Sequence, residues 1–274
     1  MDELLHTLVF APRMVAITLV LCIIVEFASP MTRYSIADRF PGTLFIFALP
    51  IFSALAIPPL GAAWASLGIE PIADISGWHP LLLFFVALFV RDLLNYWQHR
   101  FDHFAIWPVH AVHHSQTELH AANGFGHPLQ AFTEFGLITL PLSFVHFGNM
   151  NWPIAATILI SFQSQVIHSP IRVHMGPLRR IFVDSRFHRI HHSMEQRHFN
   201  RNFGTVFTFW DQLFRTAYFP KTDEWPEVGV EGMPPPRTIG QYLVAPLRNI
   251  TAREPERSVP IQRAPSFWSR YGLR

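Results

Sequence analysis

Residues 80–114 read PLLLFFVALFVRDLLNYWQHRFDHFAIWPVHAVHH. The first part, 80–97, is apolar up to Arg91 and Asp92, and with its flanks it meets the roughly 20 mostly apolar residues that a spanning helix needs. The helix it predicts runs straight into histidines. His99 and His103 form H-x-x-x-H, and His110, His113 and His114 form H-x-x-H-H. Residues three and four apart share a helix face, so each cluster aims several imidazoles at one point. Asp92, Asn95 or Tyr96, His99 and His103 continue the same spacing, which draws one polar stripe from within the bilayer to the helix end. An ionisable group at membrane depth is costly and marks a functional candidate. Asp92 is read either as the acceptor of a metal-bound histidine's other N–H, or as an ion-pair partner of Arg91 or a group snorkelling to the interface.

Further along, His188, His191 and His192 repeat H-x-x-H-H. Imidazole is the commonest protein metal ligand and suits iron, zinc, copper and nickel. The three clusters supply more ligands than one ion takes, because a structural zinc needs four and a catalytic zinc three plus water. The economical reading is a site for two metals. Accidental spacing in a chain with 16 histidines would explain one pair, but not three clusters. His127 and His168 lie between clusters and join the candidates. His120 and His174 are left open, as is His198, while His6, His79 and His146 read as interfacial or structural.

The chain is 50% hydrophobic and 15% charged, against about 25% charged in soluble domains. The depletion is regional. Apolar blocks cover 14–29 (with Glu26), 43–68, 80–97, 129–147 and 152–168. The fold class expected is therefore all-α, a polytopic integral membrane helical bundle with a histidine-rich, metal-binding cytoplasmic cap. The first block is no convincing signal peptide, since its leader is acidic and Arg13 interrupts the approach. Basic residues in 30–40 and after 170, against Glu70 and Asp74 in 69–79, place the former inside and the latter outside. All three clusters then emerge on the cytoplasmic face. Three regions follow: 1–79, N-terminal membrane helices; 80–219, catalytic; 220–274, a Pro- and Arg-rich cytoplasmic tail packed on the membrane surface. The single cysteine, Cys22, excludes an intrachain disulfide. A net charge of +2 spread as arginine beside a bilayer fits anionic headgroups, and no nucleic-acid motif is present.

The ordered motifs resemble the fatty acid hydroxylase/sterol desaturase superfamily of membrane oxidases. The resemblance spans roughly 80–247 and rests on His99-Arg-Phe-Asp-His103, His110-Ala-Val-His-His-Ser115, His127-Pro-Leu129, His168-Ser-Pro-Ile-Arg172, Phe187-His-Arg-Ile-His-His-Ser193, Asn202-Phe-Gly204 and Trp210-Asp-Gln-Leu-Phe-Arg-Thr216. It implies two non-haem iron ions and use of O2 on an unactivated C–H bond. It further implies His99, His103, His110, His113, His114, His188, His191 and His192 as ligands, joined by His127 and His168. Asp92, Asp102 and Asp184 are the carboxylates expected to support them, with Glu118 also a candidate and Asp211 read as pinning a turn. Three positions depart from the pattern: Gly126 before His127, Gln130 where Glu is common, and Arg215 where Gly is usual. They leave the metal site intact and put the substrate contacts in question.

The function expected is hydroxylation or desaturation of a membrane lipid, such as a sterol or fatty acyl chain. Electrons would come from an external donor (reductase, ferredoxin or cytochrome), because no glycine-rich nucleotide motif is present. Two competitors remain. A metal-binding or transport protein should distribute its ligands through midplane depth with broken helices, and a zinc-dependent lipid hydrolase should carry a Glu base or nucleophile beside the histidines.

Overall fold

The computed structural model describes residues 2–148, 152–172, 175–221 and 223–250. It is built almost wholly of helices: α1 (Asp2–Ala28), α2 (Ile36–Phe45), α3 (Ala48–Ala65), α4 (Pro80–Ala105), α5 (Trp107–His114), α6 (Gln130–Glu134), α7 (Leu140–Ser143), α8 (Trp152–His168), α9 (Ser185–His191), α10 (Phe209–Leu213) and α11 (Ile239–Arg248). His174 lies outside the described residues.

Local chemistry sets the helix starts. Ser35 and Asp38 cap α2 reciprocally, with Asp38 N–H donating to Ser35 Oγ (3.2 Å) and Ser35 N–H to Asp38 Oδ2 (2.8 Å). Pro80 opens α4 at a position where its missing N–H costs nothing. Asp184 and Thr238 cap α9 and α11. Within the apolar block 129–147 the chain is helical from 130 to 143, with a change of helix type inside it. A π-helical turn (Phe135–Thr139) joins α6 to α7 just before Pro141, which supplies no N–H to the ladder.

Two stretches among the described residues, Ile36–Ala65 and Pro80–Ala105, are long and apolar enough to cross a membrane. Their outer faces are apolar, with Leu55, Leu81 and Phe85 more than half exposed, and Ile17, Val20, Leu21 and Ile24 of α1 do the same. Apolar surface of that extent belongs against another apolar phase. At the end of α4 remote from its histidines, β1 (Ala73–Asp74) pairs in parallel with β2 (Val145–His146), which gathers the links after α3 and α7 at one end.

α4 packs on α8 through Leu83, Ala87 and Leu88 against Ala156 and Ile160. Alanines at the crossing let the backbones approach closely, as membrane helix pairs require. A second core joins Leu19 and Cys22 of α1, Phe45, Val112, Phe125 and Tyr242. Tyr242 of α11 is completely buried, stacks on Phe45 at 4.6 Å and donates its hydroxyl hydrogen to the Gly126 carbonyl. The described part of the tail is thus tied into the core by α11 as well as presenting apolar Leu243 and Leu247 outward. Glu26, the one charge in the first apolar block, is 2% exposed and pairs with Arg39 while accepting from Ala121 N–H (2.7 Å). It ties α1, α2 and the loop after α5 together.

Candidate metal centre

Four helix ends converge. The end of α4 brings His99 and His103, α5 brings His110, His113 and His114, and α9 with the residue after it brings His188, His191 and His192; His168 arrives as the last residue of α8. The result is two groups, in each of which one ring nitrogen per histidine lies within 4.8 Å of the others: His99, His103, His110, His114 and His191 in one, His113, His168, His188 and His192 in the other. They share a wall, where His114 of the first stacks on His192 of the second at 4.4 Å.

Hydrogen bonds decide which nitrogen faces the centre. His99 Nδ1–H donates to the Phe203 carbonyl (2.9 Å), His113 to Phe125 (2.8 Å), His168 to Ser164 (2.6 Å) and His191 to Arg201 (2.8 Å). Each such bond fixes the tautomer that leaves Nε2 with a free lone pair. His113 Nε2 and His168 Nε2 then face each other at 3.2 Å. Two acceptors at that distance repel unless a proton or a metal ion lies between them. Burial pushes His110, His113, His114, His188, His191 and His192 well below the ordinary imidazole range, and neighbouring histidines add to the effect. A proton is therefore disfavoured, and a cation satisfies the arrangement. His188 Nε2 contacts both His168 and His192 at 3.1 Å, and His191 Nε2 is buried without a hydrogen-bond partner. Neutral nitrogen donors in groups of five and four fit two transition-metal ions.

His110 behaves differently. Gln130 Nε2 donates both to Asp102 Oδ2 (2.8 Å) and to His110 Nδ1 (3.0 Å), while Gln130 Oε1 accepts from His127 N–H (2.8 Å). In this network His110 carries its proton on Nε2 and donates toward His114 Nε2 at 3.2 Å. Ligation through His110 Nε2 requires the Gln130 amide to turn over. Gln130 was read from the sequence as a substrate-side departure; it touches a ligand candidate instead.

Nine of the ten histidines expected as ligands are brought together. His127 is not: its Nδ1 accepts from Leu129 N–H (3.2 Å), its ring lies against Tyr242 at 5.2 Å, and it joins neither group. His120 is fully buried beside Tyr34 and also stands apart. His198 Nε2–H donates to Glu224 Oε1 (3.2 Å) and its Nδ1 accepts from Ser193 Oγ–H (2.8 Å), which pins the segment after α9.

The expected carboxylates do different work. Asp92 pairs neither with a histidine nor with Arg91. It accepts from Val206 N–H, Phe207 N–H and Trp210 Nε1–H, each at 3.0 Å. Arg91 turns to Glu134 of α6 (2.8 Å). Asp184 caps α9 through Phe187 N–H. Asp102 reaches His110 only through Gln130. Asp211 is the turn-pinning group: it accepts from Phe203 N–H (2.8 Å), Gly204 N–H (2.8 Å) and Thr216 Oγ1–H (2.6 Å), and burial raises its carboxyl to about 6. By holding Phe203 it holds the carbonyl that orients His99, and the Phe203 ring packs on His99, His103 and His191. Four of the nine imidazoles, those of His99, His113, His168 and His191, are supported by backbone carbonyls. Side-chain identity carries no signal for them; Asn202-Phe203-Gly204 could be noticed only as a motif.

A cavity of about 230 Å³ reaches both histidine groups, touching His99, His110, His113, His168 and His188. It extends along α4 and α8 and is lined by apolar groups such as Ile46, Leu49, Phe125 and Ile160 as well as by polar side chains.

Residues 84–216 match the fatty acid hydroxylase family model. That span contains all nine clustered histidines. Over that span the chain is similar to the fatty acid hydroxylase family. Among curated relatives, an ornithine lipid hydroxylase of Rhizobium tropici is 30% identical over 54% of this chain and 45% of its own length. An alkylglycerol monooxygenase of Caenorhabditis elegans is 26% identical over 53% of this chain and 28% of its own, and a methylsterol monooxygenase of Danio rerio 29% over 46% and 44%. The chain thus spans less than half the length of each of these relatives. No solved structure matches. Arg215, where the family pattern has glycine, has φ +62°, the left-handed region in which glycine is unstrained.

Proposed function

We propose that this protein is a member of the fatty acid hydroxylase family and an O2-dependent oxidoreductase of the membrane that hydroxylates, or desaturates, a C–H bond of a lipid. The observation that carries the reading is the pair of histidine groups, with the Nε2 lone pairs of His113 and His168 set against each other at 3.2 Å by hydrogen bonds on their Nδ1 atoms. Relatives named hydroxylase and monooxygenase support the same chemistry. Two iron ions held there would supply the oxidising power drawn from O2. For hydroxylation the balance is one C–H bond and O2, with two electrons and two protons, giving C–OH and water. The electrons come from an external donor such as a reductase, ferredoxin or cytochrome.

The chain's own residues present neutral nitrogen ligands, hold their tautomers through Phe203, Phe125, Ser164 and Arg201, and keep bulk water from the site by burial. We read the protein as multi-pass, with regions 1–79, 80–219 and 220–274. The histidine end faces the cytoplasm, because arginines crowd the segments around it while Glu70 and Asp74 lie at the opposite end. Elemental analysis of detergent-purified protein tests the proposal. Wild type should hold about two irons per chain, and His113→Ala and His191→Ala, each removing a ligand from a different group, should each lose metal. Zinc alone that persists after iron reconstitution would favour a hydrolase, and metal content unaffected by either substitution would refute the site.

A further inference from the structure

The two histidine groups are not equally prepared for a cation. In the group of four, His113 and His168 already donate through Nδ1 to the Phe125 and Ser164 carbonyls, which leaves both Nε2 atoms as acceptors. Nδ1 of His188 and of His192 has no partner, so no hydrogen bond of the protein opposes a proton there. The group of five contains one member held the other way. Gln130 is buried and both its amide hydrogens are used: Nε2 donates to Asp102 Oδ2 (2.8 Å) and to His110 Nδ1 (3.0 Å), while Oε1 accepts from His127 N–H (2.8 Å). A backbone N–H only donates, so it fixes which end of the amide faces it. The nitrogen, not the oxygen, is left facing His110. His110 therefore keeps its proton on Nε2, and that N–H points at His114 Nε2, 3.2 Å away. An ion in this group needs a lone pair on each of those nitrogens; one carries a proton and the other is taken up accepting it. Gly126 makes the arrangement possible, because a Cβ at Gly126 would stand 2.9 Å from Gln130 Oε1 and push the amide aside.

We propose that Gln130 is a positioning residue that makes the two metal sites unequal. The group of four holds its ion tightly. The group of five holds its ion more weakly, because filling it breaks the Gln130–His110 hydrogen bond and shifts the His110 proton from Nε2 to Nδ1. The ring loses one proton at Nε2 and gains one at Nδ1, so it stays neutral, and its new Nδ1–H opposes the amide nitrogen until Gln130 turns away. This rests on the two-ion reading of the histidines and not on the reaction they serve.

The test is stepwise chelation of the full chain in detergent, loaded anaerobically with iron(II) and, in a parallel series, with zinc(II). Bound metal is counted by elemental analysis at each chelator concentration. Wild type should release its ions in separate steps at least about tenfold apart in apparent affinity, the scale on which a ligand's hydrogen-bond partner changes metal binding. His191→Ala, which takes a ligand from the group of five, should keep an ion that leaves in the tight step. His113→Ala, which takes one from the group of four, should keep an ion that leaves in the weak step. Gln130→Glu gives His110 Nδ1–H an acceptor in place of a donor and should tighten the weak step about tenfold without moving the other. Gly126→Ala displaces the amide and adds no carboxylate; it should shift the weak step in the same direction, and it decides the matter if Glu beside Asp102 impairs folding. A gain confined to one ion is not what loosened packing produces. Release in a single step, an ion in His191→Ala that leaves in the weak step, or a gap that neither variant narrows overturns the proposal. Two steps seen with zinc alone and merged by Gln130→Glu refute the oxidase reading and leave this one standing. Iron ions released together do the reverse, and a chain that binds neither metal refutes both.

Discussion

Substituting Asp92 by asparagine separates a structural carboxylate from a metal-supporting one. Oδ1 of Asp92 accepts from Val206 N–H, and Oδ2 from Phe207 N–H and Trp210 Nε1–H. The group is completely buried. An amide offers a single oxygen. With that oxygen in the Oδ2 position, the Phe207 and Trp210 bonds survive and the NH2 faces Val206 N–H, leaving two buried donors opposed. At about 1–3 kcal/mol for each unsatisfied buried donor, the loss is roughly 3 kcal/mol. For a chain of this size that corresponds to a fall in Tm of about 6–12 °C. No histidine touches Asp92, so the variant that remains folded should keep its metal. Thermal unfolding in detergent, followed with metal analysis of the folded fraction at low temperature, reads both quantities. An unchanged Tm would refute the hydrogen-bond accounting. Metal missing from a well-folded Asp92→Asn protein would refute the assignment and return Asp92 to the histidines.

Asp211→Asn should differ in kind: by loosening Phe203, whose carbonyl orients His99, it lowers Tm by several degrees and also weakens metal binding about tenfold, measured by chelator competition. His120 is buried and held neutral, with desolvation and then Arg39 pushing it down to about 3. Its folded value lies below that of the unfolded chain, so its contribution is intact above pH 6.5 and lost as pH falls. By pH 5 the loss is roughly 2 kcal/mol, and His120→Leu should flatten the decline in Tm between pH 7 and 5 by that amount; parallel declines would contradict it. Arg215→Gly removes a left-handed strain of about 1–2 kcal/mol against a glycine entropy cost of about 0.5–1 kcal/mol, so Tm should rise by one to a few degrees, and a fall would show that the Arg215 side chain makes a contribution larger than the strain.

Much of the site was legible before any tertiary contact was known, because imidazoles at i, i+3 and i+4 can only point one way from a helix. Those spacings identified eight of the histidines, and position between clusters added His168. The same reasoning included His127, whose neighbours in sequence resemble a ligand motif but whose ring is turned to Tyr242 by the α11 contact. The apolar blocks likewise foretold the helices, although composition alone did not reveal the π-helical turn before Pro141.

What the sequence by itself determined, then, is the helical apolar scaffold and the type of ligand it carries, since both follow from local periodicity. The tertiary structure alone decided the sorting of nine histidines into groups of five and four. It also decided the partners of the carboxylates. Each of these depends on which distant segments meet. Asp92 and Trp210, or His191 and the Arg201 carbonyl, are brought together only by packing, and a backbone carbonyl that orients a ligand can be supplied by any residue at all.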